Sequence, residues 1–230
     1  MSIDICPDCD GAVFSCEKAC PRCGCPRWRF AEYLPPFIEA GRCTFGRWGG
    51  EDVGWRVLDG QESLALLVAE SVIDCGPYNK ELADVTWAEC SLRRWLNGEF
   101  LQRAFTDDER KRICETPVGD NCDPSRGTPD SPDTCDMVFC LSTDEAKRYF
   151  ADSWDRQAKP TVWALLNGVD VCDWAEYAFF GCAWWWLRST GGSSATAACI
   201  FESGFIEESM MPVACDSIGI RPAIWIRFES

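Results

Sequence analysis

The sequence predicts an α+β fold: strand-like segments come first, helix starts follow, and strand-like segments return, without the alternating order of a βαβ protein. Three observations carry this reading. Residues 42–69 read as a β-meander, three capping-box sequences fall between residues 86 and 145, and four short apolar runs broken by turns fill residues 184–228. A separate amino-terminal module, marked by paired cysteines, precedes them.

That module comes first in the chain. "CPDCDGAVFSCEKACPRCGCP" holds two knuckles, Cys6-Pro-Asp-Cys9 and Cys20-Pro-Arg-Cys23, and resembles a zinc ribbon. C-x2-C spacing lets two thiolates reach one tetrahedral Zn²⁺ from a single turn. Pro7 and Pro21 restrict the backbone within each turn, and Gly11 and Gly24 relieve it afterwards. The chain contains no His, so the expected ligands are Cys6, Cys9, Cys20 and Cys23. Cys25 is an alternative to Cys23, and Cys16 is spare. Four thiolates leave no open coordination position, so the expected role is structural: the metal holds together a segment too short to form a core. The expected boundaries are a ribbon over residues 1–30, a linker over 31–41 centred on Pro35-Pro36, and a main domain over 42–230.

In the main domain "CTFGRW" and "VGWRVLD" alternate as strands, and Asp59-Gly60 is a hairpin signal before "SLALLVAES". The capping boxes are Thr86-Trp-Ala-Glu89, Thr106-Asp-Asp-Glu109 and Ser142-Thr-Asp-Glu145. The first predicted helix carries Leu92, Trp95 and Leu96 at core spacing and stops at Asn97-Gly98, with a separate segment "EFLQRAF" after it. "ETPVGDNCDPSRGTPDSPDTCD" is a long loop, and its carboxylates lack the order of a calcium-binding loop. "MVFCLS" reads as a buried strand. The final runs are "WWWLRS", "ATAACIFES", "GFIEESMM" and "GIRPAIWIRF", with bends at Ser203-Gly204 and Gly219.

Composition narrows the function. The 230 residues carry a net charge of -15, which repels phosphate backbones and makes nucleic acid a poor partner. Residues 1–30 balance to zero, so the negative charge lies after residue 30. No apolar run has the length of a membrane span, and the start "MSIDICPDCD" lacks signal-peptide order. The 17 cysteines are odd in number and begin with metal-site spacing, so a reducing cytoplasm is expected, with most thiols serving as small buried apolar groups.

"TWAECSLRRWLNGEFLQRAFTDDERKRI", "DMVFCLSTDEAKRYF", "WWWLRSTGG" and "GIRPAIWI" together resemble a bacterial domain of unknown function, number 6273, of C-type-lectin-like fold. That family is related in shape to the formylglycine-generating-enzyme group. The resemblance implies two principal helices beside irregular antiparallel strands over residues 42–230. It also implies that residues 184–188 and 219–222 are framework strands, with Arg188 and Arg221 paired to buried carboxylates or carbonyls.

The same resemblance leaves two functions from different classes. The related oxidases bind copper through a close pair of late cysteines, but here Cys182, Cys199 and Cys215 stand 17 and 16 residues apart. The iron-dependent relatives need histidines, and the calcium motifs of sugar-binding lectins are absent. Glu207 and Glu208 are adjacent, so a strand would send them to opposite faces and away from a two-carboxylate site. An enzyme of that group with a non-standard site is the alternative reading. The favoured reading is a non-catalytic domain binding a small-molecule or protein ligand. C-type-lectin-like scaffolds carry variable residues in the target proteins of diversity-generating retroelements, in the segment before the last framework strand. The matching residues here are Phe201, Glu202, Phe205, Glu207, Ser209, Met211 and Asp216. Their aromatic and Met side chains would supply adaptable apolar contact.

Overall fold

The computed structural model describes residues 3–5, 12–14, 20–23, 41–61, 63–119 and 132–228. At the amino terminus β1 (Ile3–Ile5) pairs antiparallel with β2 (Ala12–Phe14), in register Ile3 with Phe14. Cys20 is buried at the start of a turn that ends at the exposed Cys23. Cys6, Cys9, Cys16 and Cys25 lie outside the described residues, as does the predicted linker apart from Gly41.

The meander follows. β3 (Arg42–Trp48), β4 (Glu51–Gln61) and β5 (Leu64–Ala69) pair antiparallel in sequence order. The hairpin between β4 and β5 does not turn at Asp59-Gly60 as predicted. Both residues stay in β4, opposite Leu66 and Ala65, and the chain reverses after Gln61. A bulge between Val57 and Asp59 absorbs the turn-forming residues within the strand, and Asp59 is held there by the Tyr149 hydroxyl donating at 2.9 Å. After β5 come the short β6 (Asp74–Cys75) and then the helical region.

α1 (Ser91–Trp95), a π-helical turn (Leu96–Phe100) and α2 (Leu101–Ala104) run without a break. Two expectations fail here. The Thr86/Glu89 capping box does not form, and the helix begins at Cys90, whose sulfur accepts from the Arg93 amide. Trp87 is the reason: it is buried, and its indole donates to Asp136 at 2.8 Å, which holds residues 86–89 in a turn. Asn97-Gly98 does not stop the helix either. The Asn97 amide accepts from the Met137 and Val138 amides and donates to the Arg93 and Val138 carbonyls, so the side chain that would favour a turn is committed to a tertiary contact.

The other two capping boxes form as predicted, opening α3 (Asp107–Arg112) at Thr106 and α4 (Thr143–Tyr149) at Ser142. Between them, the ends of the acidic loop pair as β7 (Thr116–Val118) and β8 (Thr134–Asp136). The "MVFCLS" segment is largely buried but forms no strand: Phe139 bridges Ala223, and the Leu141 carbonyl accepts from the Arg188 amide of β9. α5 (Ser153–Arg156) and α6 (Val162–Leu166) lead to the terminal strands β9 (Trp185–Thr190), β10 (Thr196–Ile200), β11 (Ile206–Pro212), β12 (Gly219–Ile220) and β13 (Ala223–Arg227).

These strands form two sheets. One has the order β11-β10-β9-β12-β6, and the other β13-β5-β4-β3. The fold is therefore mixed α+β, mostly strands with few and short helices. Among the described residues no helix is long and apolar enough to cross a membrane. The chain passes from one sheet to the other at Arg221-Pro222, between β12 and β13. Arg221 is 2 % exposed, and its guanidinium donates to the Ala69 and Arg156 carbonyls and lies 4.9 Å from the Trp185 ring centroid. Burial lowers its pKa to about 9, so the pairing with carbonyls and rings offsets a real desolvation cost.

β9 is buried along its whole length. Trp185 packs against Phe150 and donates to the Arg156 carbonyl, and Trp186 packs against Tyr78 and donates to the Gly76 carbonyl. Both rings are fully buried, so the strand is covered on both faces. Arg188 continues the strand. Its fork spans both oxygens of Glu145 (Nη2 to Oε1, 3.0 Å), and it also donates to the Gly119 and Cys140 carbonyls. The Arg188 and Arg221 pairing expected of framework residues is thus present. The Ser203-Gly204 bend is also present: Gly204 has φ +81°, and a side-chain carbon there would collide with the Ser153 carbonyl.

Candidate functional site

Two clefts flank β12. The first, of about 570 Å³, is lined by Asp74, Cys75, Lys80, Arg94, Trp95 and Glu99 among others. Its one buried carboxylate is already occupied. Asp74 accepts from the Trp48 indole (2.7 Å), the Trp163 indole (3.1 Å), the Asn167 amide (2.9 Å) and the Cys75 backbone (2.9 Å). The neighbouring Cys75 thiol is pushed up to about 11, by burial first and then by Asp74, Asp216 and Asp170. A thiol held protonated beside three carboxylates is a poor nucleophile.

The second cleft, of about 600 Å³, lies between the loop 170–184 and the β10–β11 hairpin. Backbone bonds close the base of the loop: Val171 bridges Ala183, Cys172 N donates to the Cys182 carbonyl at 3.0 Å, and Gly181 N to the Cys172 carbonyl at 2.8 Å. Inside it three successive turns run from Trp174 to Tyr177, Tyr177 to Phe180 and Phe179 to Cys182. These turns bring the rings of Trp174, Tyr177 and Phe179 together. Trp174 lies on Tyr177 (5.7 Å, 19°), and Tyr177 on Phe179 (5.0 Å, 7°). The facing wall is Trp184, Met211, Cys215 and Ile218, with Trp184 backed by Phe201 at 4.3 Å.

Three carboxylates line this cleft, Asp170, Asp173 and Glu202, and among the described residues no Lys or Arg does. Asp170 accepts from the Ser217 hydroxyl at 2.6 Å. The Glu202 Oε2 atom is buried with no hydrogen-bond partner among the described residues. Its charge is felt nearby, since Glu202 contributes to the raised pKa of Cys182 and of Cys199, both shifted chiefly by burial.

The predicted ligand residues divide at this cleft. Glu202 and Met211 line it, and Phe201 backs its wall. Phe205 is 61 % exposed and lies 6.2 Å from Phe201, at the rim. Asp216 is exposed beside the lining residue Cys215. Glu207 turns back on its own strand, accepting from the Ser209 and Met210 amides, and Ser209 is exposed on that same turn. Glu208 pairs with Lys147. The loop carrying Asp170, Asp173, Trp174, Tyr177 and Phe179 was not among the predicted residues. Its signal in the sequence is "CDWAEYAFFGC", an aromatic run with neither strand nor helix period.

Of the expected zinc ligands, Cys20 and Cys23 are described, while Cys6 and Cys9 are not. No group of three or more metal-ligating His, Cys, Asp or Glu residues occurs among the described residues.

A family model matches residues 62–228, most of the chain. The chain belongs to that family, Domain of unknown function (DUF6273). No curated protein and no solved structure matches it. The match to DUF6273 spans β5 through β13 and so contains both clefts. β3 and β4 precede it, although they complete the sheet that holds β13.

Proposed function

We propose that this DUF6273 domain is a non-catalytic ligand-binding module on a C-type-lectin-like scaffold, preceded by a zinc ribbon with four cysteine ligands. The observation that carries the reading is the 600 Å³ cleft, whose volume falls in the range of small-molecule sites and whose lining joins an aromatic wall to a few carboxylates. The chemistry of the thiols points the same way. Burial raises Cys43 to about 12, and raises Cys140 and Cys199 well above the usual thiol range, so these groups stay protonated and unreactive. The scaffold assignment is supported by the return of the last strand to the meander sheet and by the buried Arg188 and Arg221. Display of residues 201–216 on that scaffold is the arrangement a diversified target protein would use. A neighbouring reverse transcriptase gene with a near-copy of the segment encoding residues 189–222 is the expected genomic signature.

The cleft is tested by a thermal-shift screen of chemically diverse compounds against the full chain. Compounds that raise the melting temperature are expected to lose their effect in Trp174→Ala and Met211→Ala. Hits that survive both substitutions would move the site elsewhere.

The ribbon has its own test. The antiparallel pairing of β1 with β2 frames the connection that carries Cys6 and Cys9, and the Cys20–Cys23 turn has the form a second knuckle needs. Purified protein is expected to carry about one equivalent of Zn²⁺ by metal analysis, lost in Cys9→Ser and Cys20→Ser while the main domain stays folded. Metal-free wild-type protein would contradict the assignment. Thiols kept reduced in a cytoplasmic protein belong to the same reading.

A further inference from the structure

We infer that the second cleft binds an organic cation, an alkylated ammonium group seated between the Trp174–Tyr177 stack and Trp184, with Glu202, Asp170 and Asp173 as its counter-charges. The inference rests on the binding-module reading and adds the chemical class of the ligand.

Four features select a cation of this kind. Among the described residues the lining carries three carboxylates and no basic side chain, so an anion is repelled there. One carboxylate oxygen, Oε2 of Glu202, is buried without a hydrogen-bond partner among the described residues, an arrangement that costs free energy until a cation or donor reaches it. The wall opposite is made of aromatic faces, whose negative quadrupole attracts an ammonium group and most strongly where water is excluded. Trp174 and Tyr177 remain 58 % and 44 % exposed, so a ligand placed on them buries ring surface that the protein itself leaves in water.

A metal ion fits less well. The three carboxylates do not converge as a metal-ligating group, and the apolar rings, Met211 and Ile218 offer no hard oxygen donors. A diffuse charge with an apolar surface matches both halves of the lining. The volume exceeds what a bare ammonium head requires, so the remainder of the ligand extends along Met211 and Ile218.

The test titrates the full chain with choline and follows tryptophan fluorescence. The control is its neutral carbon isostere, 3,3-dimethylbutan-1-ol. Choline is expected to bind saturably and the isostere about tenfold more weakly, the difference being the charge. Glu202→Gln is expected to lower choline affinity by about tenfold and leave the isostere unchanged, whereas Trp174→Ala weakens both. A second arm uses a peptide carrying trimethyllysine, which has the same head group. Binding of that peptide much tighter than choline assigns the cation to a protein partner's side chain, and equal binding assigns it to a free small molecule. Equal affinity for choline and the isostere, or no response to either cation, overturns the assignment. If neutral or anionic compounds then still bind and are lost in Trp174→Ala and Met211→Ala, the binding module stands without its cation. If nothing binds, both fall.

Discussion

Residues 184–188 and residues 173–180 are the two most aromatic stretches near the end of this chain, and they end up in opposite environments. In the first, Trp185 and Trp186 disappear from solvent on either side of β9, each with its indole N–H satisfied by a carbonyl. In the second, Trp174, Tyr177 and Phe180 stay exposed, and Trp174 and Tyr177 stack within the loop instead of on a core. The difference lies in the backbone. β9 pairs with β10 at one edge and β12 at the other, and Phe150 packs on Trp185 at one face while Tyr78 packs on Trp186 at the other. The loop is closed only at its base and by its own turns, so its rings have no second layer above them. Aromatic density alone therefore does not separate framework from binding surface. The layer on the far side of the ring does.

This contrast can be broken by measurement, most severely at the framework. Trp185→Ala and Trp186→Ala are each expected to cost about 3–5 kcal/mol, a large part of the ~5–15 kcal/mol that holds a domain together, read as a fall in the urea midpoint. One mild and one severe value would mean that β9 has a solvent face after all.

A smaller loss is expected at Glu145→Gln. It removes the charge that pairs with the buried Arg188 fork while keeping the capping geometry at Ser142. About 2 kcal/mol is the scale for a hydrogen bond to a charged group. A neutral result would show that the Gly119 and Cys140 carbonyls suffice for Arg188.

The smallest effects belong to the loop and rim. Trp174→Ala and Phe205→Ala are expected to change unfolding free energy by no more than about 0.5 kcal/mol, because both side chains are mostly exposed. Met211→Ala should fall between the classes, being half-buried against the core. If Trp174→Ala matched Trp186→Ala, the loop would be framework and the cleft a packing defect.

Much of the fold could be read from local pattern. The strands of the meander follow alternation, the terminal strands follow apolar runs broken by turns, and the boxes at Thr106 and Ser142 cap helices because every partner lies within four residues. Thr86/Glu89 has the same spacing and fails, since Trp87 is drawn to Asp136, 49 residues away. Asn97 fails as a stop for the same kind of reason, its amide being spent on residues 137 and 138. At the site, Glu202 and Met211 were named from their place in the segment before the last framework strand, and both line the second cleft. The loop residues were not, because a stack made by consecutive turns has no sequence period to reveal it.

The sequence by itself determined the α+β order, two of the helix starts and the strong negative charge. Each follows from neighbours along the chain or from a sum over it. Only the tertiary structure decided that both Trp185 and Trp186 are core, that Asp59-Gly60 lies within a strand, and that Trp174, Tyr177 and Phe179 line one cleft with Glu202. Burial on a second face, and the meeting of a loop with a distant hairpin, depend on which layers pack together, and short-range propensity carries no information about that.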